Sequence, residues 1–276
     1  AKGRLLLPIL QGRAVGGSTV VNGAIVHRLP DAIHRAWEPH GVHQLLTLDA
    51  LHGTYDALDS LLSVAPAPEE VLGGNNRLMR DACNALGWRS NVIRRNVVGC
   101  EGSAGCMQGC ANLRKQSMER AVLPQTLRAG ARLYATCKAE RITVERGRAT
   151  GVVARFVDPL SRRPGPALRV SARRAVVVAA SAVQTPLLLA ASKIGTRSSA
   201  LGRRFQCHPG SAPLGVFDEP VELWFGATQA YESTHFWDER MKFETVGLPF
   251  DVALGRIPGF GSALMREAAG FGHLAS

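Results

Sequence analysis

The sequence predicts a mixed α/β protein, on three observations. Apolar residues recur at helical spacing in the first third, strand-like alternation sets in from about residue 131, and a buried-strand pattern then feeds a helix. The 276 residues, 46% hydrophobic and 20% charged, are enough for one large domain or two ordinary ones with a proper core.

The elements follow in order. Leu5–Leu10 is an apolar stretch leading into the glycine-containing turn Gly12–Ser18; it is too short for a secretory leader and lacks a small-residue cleavage site. Asp49–Ser63 carries Leu51, Tyr55, Leu58, Leu61 and Leu62 at helical spacing, with Thr47 or Asp49 as its cap. Ala65-Pro66-Ala67-Pro68 ends that helix and predicts a linker or surface loop. Asn75–Leu86 is a second helix, closed by Gly87. Arg132–Thr136, Ala139–Glu145 and Ala149–Val157 alternate as strands do, with Arg146-Gly147 as a turn. Arg162–Pro166 predicts a polar turn before a strand over Leu168–Ser171. Ala175–Ala179 is continuously apolar, as in a strand buried on both faces, and passes through Ser181 into a helix beginning near Pro186. Beyond His208, glycines and prolines punctuate short strands such as Val221–Phe225.

The net charge of +11 raises nucleic acid as a partner. The basic residues are dispersed, however, and only five are lysines. The pairs Arg94-Arg95, Arg162-Arg163, Arg173-Arg174 and Arg203-Arg204 are isolated and read as solvated turns. With no helix-turn-helix, RNP or zinc-finger pattern, no nucleic-acid partner is expected. No apolar run reaches the ~20 residues of a transmembrane helix. The six cysteines are not spaced as a disulfide framework, so a reducing, cytoplasmic setting is expected.

The most informative segment is Gly12-Arg13-Ala14-Val15-Gly16-Gly17-Ser18-Thr19-Val20-Val21-Asn22-Gly23. Glycines let a backbone turn sharply and approach a ligand, and amides at a following helix start favour an anion such as a diphosphate. Asn22 both donates and accepts hydrogen bonds. On chemistry alone this is an anion or cofactor loop, or an ordinary tight turn. Cys100, Cys106 and Cys110 with Gly99, Gly102, Gly105 and Gly109 invite an iron-sulfur or zinc reading. Their C-x5-C-x3-C spacing supplies only three thiols, so a glycine-rich structural loop is expected and no metal is assigned. His34, His40 and His43 lie on a polar stretch expected to be exposed; neither they nor His27, His52, His235 and His273 show ligand spacing.

Taken whole, the Gly12–Gly23 string resembles the first signature of the glucose-methanol-choline (GMC) oxidoreductases, and in particular their cholesterol-oxidase-like branch. The resemblance implies a loop along the FAD diphosphate and ring, with Asn22 facing the cofactor. It assigns flavin contacts to Gly12, Arg13, Gly16, Gly17, Ser18, Asn22 and Gly23 and to the backbone at Ala24 and Ile25. Ser181-Ala182-Val183-Gln184-Thr185-Pro186 and the residues after it are similar to the second signature, adding Ala180 and Ser181 to the cofactor set. Ser181 and Lys193 stand where many relatives have glycine. Ala129–Ala139 and Arg148–Val152 resemble the adenine-side strands, with the backbone near Ala139 against the adenine. Leu201-Gly202-Arg203 with His208-Pro209 is similar to the entry into the substrate domain. Asn112, Lys115, Gln116 and Ser117 resemble the GC-x-N-x-x-K stretch of sterol-oxidase-like members, which implies a bulky alcohol rather than a simple sugar.

The implied fold is a partial FAD-binding Rossmann-like domain (1–28 and 131–207), a mainly helical lid or substrate-domain insertion carrying the cysteine loop (29–130), and the start of a substrate-binding domain on an antiparallel sheet (208–276). The implied partners are FAD, a small-molecule alcohol, and oxygen or another electron acceptor. The G-x-G-x-x-G fingerprint and the family's catalytic histidine do not occur in these residues. The chain is therefore expected to be an internal segment, inactive alone, whose catalytic residues lie beyond Ser276. The alternative is a non-catalytic flavin-binding remnant or scaffold module.

Overall fold

A computed structural model describes residues 9–208, 210–255 and 260–275. Leu5–Pro8 of the opening apolar stretch and Pro209 lie outside them. The chain forms two compact units, one from residues 1–131 with 212–276 and one from residues 132–211.

The first unit opens with helices α1 (Asp31–Ala36), α2 (Val42–Leu45) and α3 (Leu48–Leu62). Thr47 starts α3 by accepting a hydrogen bond from the Ala50 amide at 3.2 Å, and the helix stops where Ser63 turns left-handed, at φ 53°. The chain then enters β1 (Val64–Pro66), which pairs antiparallel with Arg94–Asn96, Val64 opposite Asn96. The expected Ala65–Pro68 loop is therefore corrected in its first half. Pro66 is tolerated because it ends one strand of a two-stranded sheet. Helix α4 (Gly73–Leu86) closes on Gly87 at φ 64°, with the Trp88 amide reaching back to the Cys83 carbonyl at 2.8 Å. Strands β2 (Ser90–Val92) and β3 (Arg94–Asn96) and helices α5 (Met118–Ala121) and α6 (Leu123–Arg128) complete the first stretch.

The second unit is a three-stranded antiparallel meander of β4 (Cys137–Glu145), β5 (Arg148–Val157) and β6 (Pro164–Ser171), with α7 (Ser181–Ala191) packed on β4. The two-residue β4–β5 turn has positive φ at both positions, 49° at Arg146 and 77° at Gly147, the twist a tight hairpin needs. Ser192 ties helix to sheet by accepting from the Ile142 amide at 2.8 Å.

Four expectations for this unit are corrected. Arg132–Thr136 is not a strand, since the ladder with β5 begins only at Cys137, after Thr136 turns to φ 51°. The polar turn before β6 lies earlier than the expected Arg162–Pro166, because Asp158 accepts from the Leu160 and Ser161 amides and β6 starts at Pro164. Ala175–Ala179 has no regular secondary structure and no ladder partner among the described residues, and Val177 is 88% exposed. Helix α7 begins at Ser181, leaving Pro186 inside it; the Ser181 hydroxyl accepts from the Val183 and Gln184 amides and opens the helix five residues early.

The chain returns to the first unit through β7 (Gly215–Val216), β8 (Tyr231–Ser233), β9 (Phe243–Glu244), α8 (Phe250–Leu254), α9 (Gly261–Ala269) and β10 (Leu274–Ala275). Strands β2, β8 and β9 form one antiparallel sheet, and β7 pairs with β10. Val221–Phe225, expected as a strand, is a turn with Glu222 at φ 53°. The buried Val221 and Leu223 drive it inward rather than into a ladder. Ala67, Val71, Leu72, Ala227 and Ala230 form the core cluster here. Asn76 crosses it: its amide donates to the Leu72 and Ala227 carbonyls, and its Oδ1 accepts from the Ala230 amide and the Thr245 hydroxyl. Among the described residues every pairing between the named strands is antiparallel, one isolated parallel bridge joins Ser103 to Gly226, and no helix is long and apolar enough to cross a membrane.

Candidate cofactor-binding site

The segment Gly12–Ile25 folds into one loop of the first unit. The Gly12 amide donates to the Ser18 hydroxyl at 3.0 Å, the Gly17 amide to the Ala14 carbonyl at 2.9 Å, and Gly17–Val20 forms a single 3₁₀ turn. A Cβ on Gly12 would lie 2.5 Å from the Gly17 carbonyl oxygen, so glycine is what lets the loop close on itself. Gly16 and Gly17 both have positive φ, 94° and 59°. Beyond Gly17 there is open space, whereas Gly16 backs onto the Glu119 carboxylate. Ala24, fully buried, also has a positive φ of 63°, held by its amide donating to Asn22 Oδ1 at 3.2 Å. Arg13, Ser18 and Asn22 are exposed. Ile25 bridges to Arg95, which anchors the end of the loop on β3.

Two buried cations stand behind this loop. Lys115, 1% exposed, donates to the carbonyls of Val20, Asn22 and Cys106 at 2.6, 2.9 and 2.8 Å. Burial pushes its ammonium below the ordinary lysine range, against an opposing pull from Cys106, Cys110 and Glu119. Arg95, 2% exposed, donates to the Gly23 carbonyl at 3.0 Å and to Cys106 Sγ at 2.9 Å. The reading of Arg94-Arg95 as a solvated turn is thus corrected: both lie in β3, where Arg94 faces water beside Asp59 while Arg95 is buried. Glu119 lies alongside, one oxygen bonded to Ser117 and the other, Oε2, buried without a hydrogen-bond partner. Lys115 was legible as part of a motif but not as a clamp. Arg95 and Glu119 carry no sequence signal, since their neighbours are set only by long-range packing.

The remaining expected cofactor residues belong to the second unit. Ala139 stands at a β-bulge, where the register with β5 slips between Ala139 and Arg141 and re-aims the strand. Ala180 stands at the N-cap position of α7, and Ser181 has a φ of 81°, a conformation that favours glycine.

Away from the loop, His27, Glu232 and Glu244 bring ligand-type atoms within 4.8 Å of one another, the one such grouping of three among the described residues. The Lys242 ammonium fills its centre, bonding both carboxylates and lying 3.0 Å from His27 Nε2. The hydrogen bond to His27, with Lys242 behind it, pulls the Glu244 carboxyl down to about 2 against the opposing effect of burial. Gln229 joins this cluster to the loop: its amide donates to Glu244 at 3.1 Å while its carbonyl oxygen lies against Gly23. The cysteines of the 99–110 loop form no comparable grouping among the described residues, and Cys106 and Cys110 are buried in the fold. His34, expected to be exposed, is 2% exposed with Nε2 bonded to the Leu46 carbonyl at 2.8 Å; His40 is exposed, and the side chain of His43 is outside the described set.

The arrangement therefore offers a glycine-lined loop, open beyond Gly17, with a rigid cationic backing, which suits an anion or nucleotide cradle. Residues 4–210 match the family model described as GMC oxidoreductase. The chain is 38% identical over 267 residues to an uncharacterised GMC-type oxidoreductase of Mycobacterium tuberculosis, covering 96% of this chain and 41% of that protein. A second uncharacterised GMC-type oxidoreductase, from Sinorhizobium fredii, is 34% identical, over 87% of this chain and 46% of its own length. A long-chain-alcohol oxidase of Arabidopsis thaliana is 27% identical, over 81% and 30% respectively. The chain thus spans less than half the length of these relatives. It belongs to the GMC oxidoreductase family.

Proposed function

We propose that this chain is the cofactor-holding part of an FAD-dependent oxidoreductase that oxidises an apolar alcohol, long-chain or sterol-like, to a carbonyl. The observation that carries the reading is the Gly16-Gly17 turn, with paired positive φ and open space beyond Gly17, continuous with the Asn22-Gly23 edge. A diphosphate fits such a turn because no side chain blocks the approach beyond Gly17. Gly12, Arg13, Gly16, Gly17, Ser18, Asn22, Gly23, Ala24 and Ile25 would hold the flavin nucleotide; Ala139, Ala180 and Ser181 are proposed separately, as cofactor contacts of the second unit. When bound, FAD supplies the two-electron redox chemistry; this chain's part is binding and orientation. The name of the Arabidopsis relatives supports a long-chain alcohol.

The general base is assigned to polypeptide outside these residues, and the 276-residue chain alone is expected to be inactive. A cytoplasmic location fits the six unpaired cysteines. The test is anaerobic mixing of the purified natural polypeptide with alcohols. Bleaching of the bound flavin by long-chain alcohols or sterols, with none by sugars, is expected. A protein that purifies with no flavin and acquires none from added FAD would sink the assignment.

A further inference from the structure

The two buried cations behind the loop carry an inference that rests on the cofactor reading above. An ammonium has three donors, and Lys115 spends them on the carbonyls of Val20, Asn22 and Cys106, with Asn22 Oδ1 a further 3.4 Å contact. Arg95 takes the Gly23 carbonyl. Three carbonyls within residues 20–23 are thereby turned toward the protein interior.

Peptide planarity then decides what the loop shows outward. The N–H of a peptide unit points opposite its C=O, so drawing the Asn22 carbonyl onto Lys115 turns the Gly23 N–H away from it. That N–H has no protein acceptor among the described residues, whereas the Val21 and Ala24 amides are taken by the Ser18 carbonyl and Asn22 Oδ1. The Asn22 side chain is fixed by the same logic. Both groups at its Oδ1, the Ala24 amide and the Lys115 ammonium, are donors, so the carboxamide cannot flip, and the Nδ2 donors of this exposed residue face away from them.

We propose that Lys115 and Arg95 are positioning residues that fix the donor pattern of the ligand loop, presenting Asn22 Nδ2 and the Gly23 N–H to an acceptor-edged ligand that neither cation touches. The acceptor edge of the flavin ring system is such a ligand, and so are phosphate oxygens. The burial of both cations suits the role, since side chains held at 1–2% exposure by backbone carbonyls cannot swing out to meet ligand themselves.

The experiment measures FAD affinity by flavin fluorescence, and the visible spectrum of bound flavin, in the natural polypeptide and its Lys115→Met, Lys115→Arg and Arg95→Lys variants. Thermal stability of the ligand-free proteins is followed in parallel. Lys115→Met is expected to weaken FAD at least ~tenfold, the loss of one charge-assisted hydrogen bond's worth of orientation, and to alter the visible band. Lys115→Arg should recover part of both. If Lys115→Met fails to fold, the charge-retaining Lys115→Arg and Arg95→Lys decide: each should be folded and bind FAD more weakly than wild type. Wild-type affinity and spectrum in both would overturn the positioning role while leaving the cofactor reading intact. Absence of FAD binding by the wild-type protein would overturn both.

Discussion

Replacing Gly17 by alanine separates a ligand role for the loop from a structural one. The new methyl would meet no atom within 4 Å, so packing contributes nothing to its cost. What remains is the left-handed backbone, φ 59°, which costs a residue bearing a Cβ roughly 1–2 kcal/mol. For a protein of this size that lowers the melting temperature by only about 2–8 °C. Yet the methyl projects into the open side of the turn, where the cofactor is assigned, so FAD affinity should fall by at least ~1.4 kcal/mol, or tenfold. Gly12→Ala is the counterpart. Its methyl would lie 2.5 Å from the Gly17 carbonyl oxygen and 2.8 Å from Ser18 Cα, both backbone, so the loop must open. Overpacking of that kind costs roughly 1–3 kcal/mol, and the Gly12–Ser18 hydrogen bond goes with it. Gly12→Ala should therefore lose stability and FAD together, whereas Gly17→Ala loses mainly FAD. Differential scanning fluorimetry with and without FAD reads both quantities. A folded Gly17→Ala protein that binds FAD as wild type does would refute the placement of ligand on the open face.

Other perturbations test the framework. The Glu244 carboxyl, pulled to about 2 from an ordinary 4.5, is depressed in the folded state, so its stabilisation is complete above the ordinary value and is lost as pH falls from about 4.5 toward 2. Glu244→Gln should flatten the acid limb of the stability profile in that window and cost about 1–3 kcal/mol near neutrality; an unchanged profile would show that the His27–Lys242 cluster contributes nothing. Asn76→Ala strips partners from the Leu72 and Ala227 carbonyls, the Ala230 amide and the Thr245 hydroxyl in the core, and should cost roughly 3 kcal/mol or more in urea unfolding followed by tryptophan fluorescence. A loss under 1 kcal/mol would mean that water replaces it. Thr47→Ala removes the cap of α3 and should cost about 1 kcal/mol in the same assay, with no change in FAD affinity.

The elements legible in the sequence are those whose instructions are local. Thr47 and Ser63 bracket α3, Gly87 closes α4, and Arg146-Gly147 turns β4 into β5, each through a side-chain cap or a positive φ that acts within a few residues. The glycine loop was legible for the same reason. Expectations failed where alternation or apolarity was read without its partner. Val221–Phe225 has a strand's composition but is pulled into a buried turn, and Ala175–Ala179 has a buried strand's composition but no ladder partner among the described residues. Period and propensity describe which face a segment can bury, and the packing decides whether anything is there to cover it.

For the candidate site the division is similar. The sequence by itself determined that a glycine-lined turn would be followed by an asparagine, because sharp turning and close approach are properties of single residues. Only the tertiary structure decided that Lys115, some 95 residues away, would spend its three donors on that loop, and that Arg95 would face inward while its neighbour Arg94 faces water. The physical reason is that an ion's partners are set by which carbonyls the fold brings within 3 Å. That distance depends on every element between the two positions, and on no motif that either one carries.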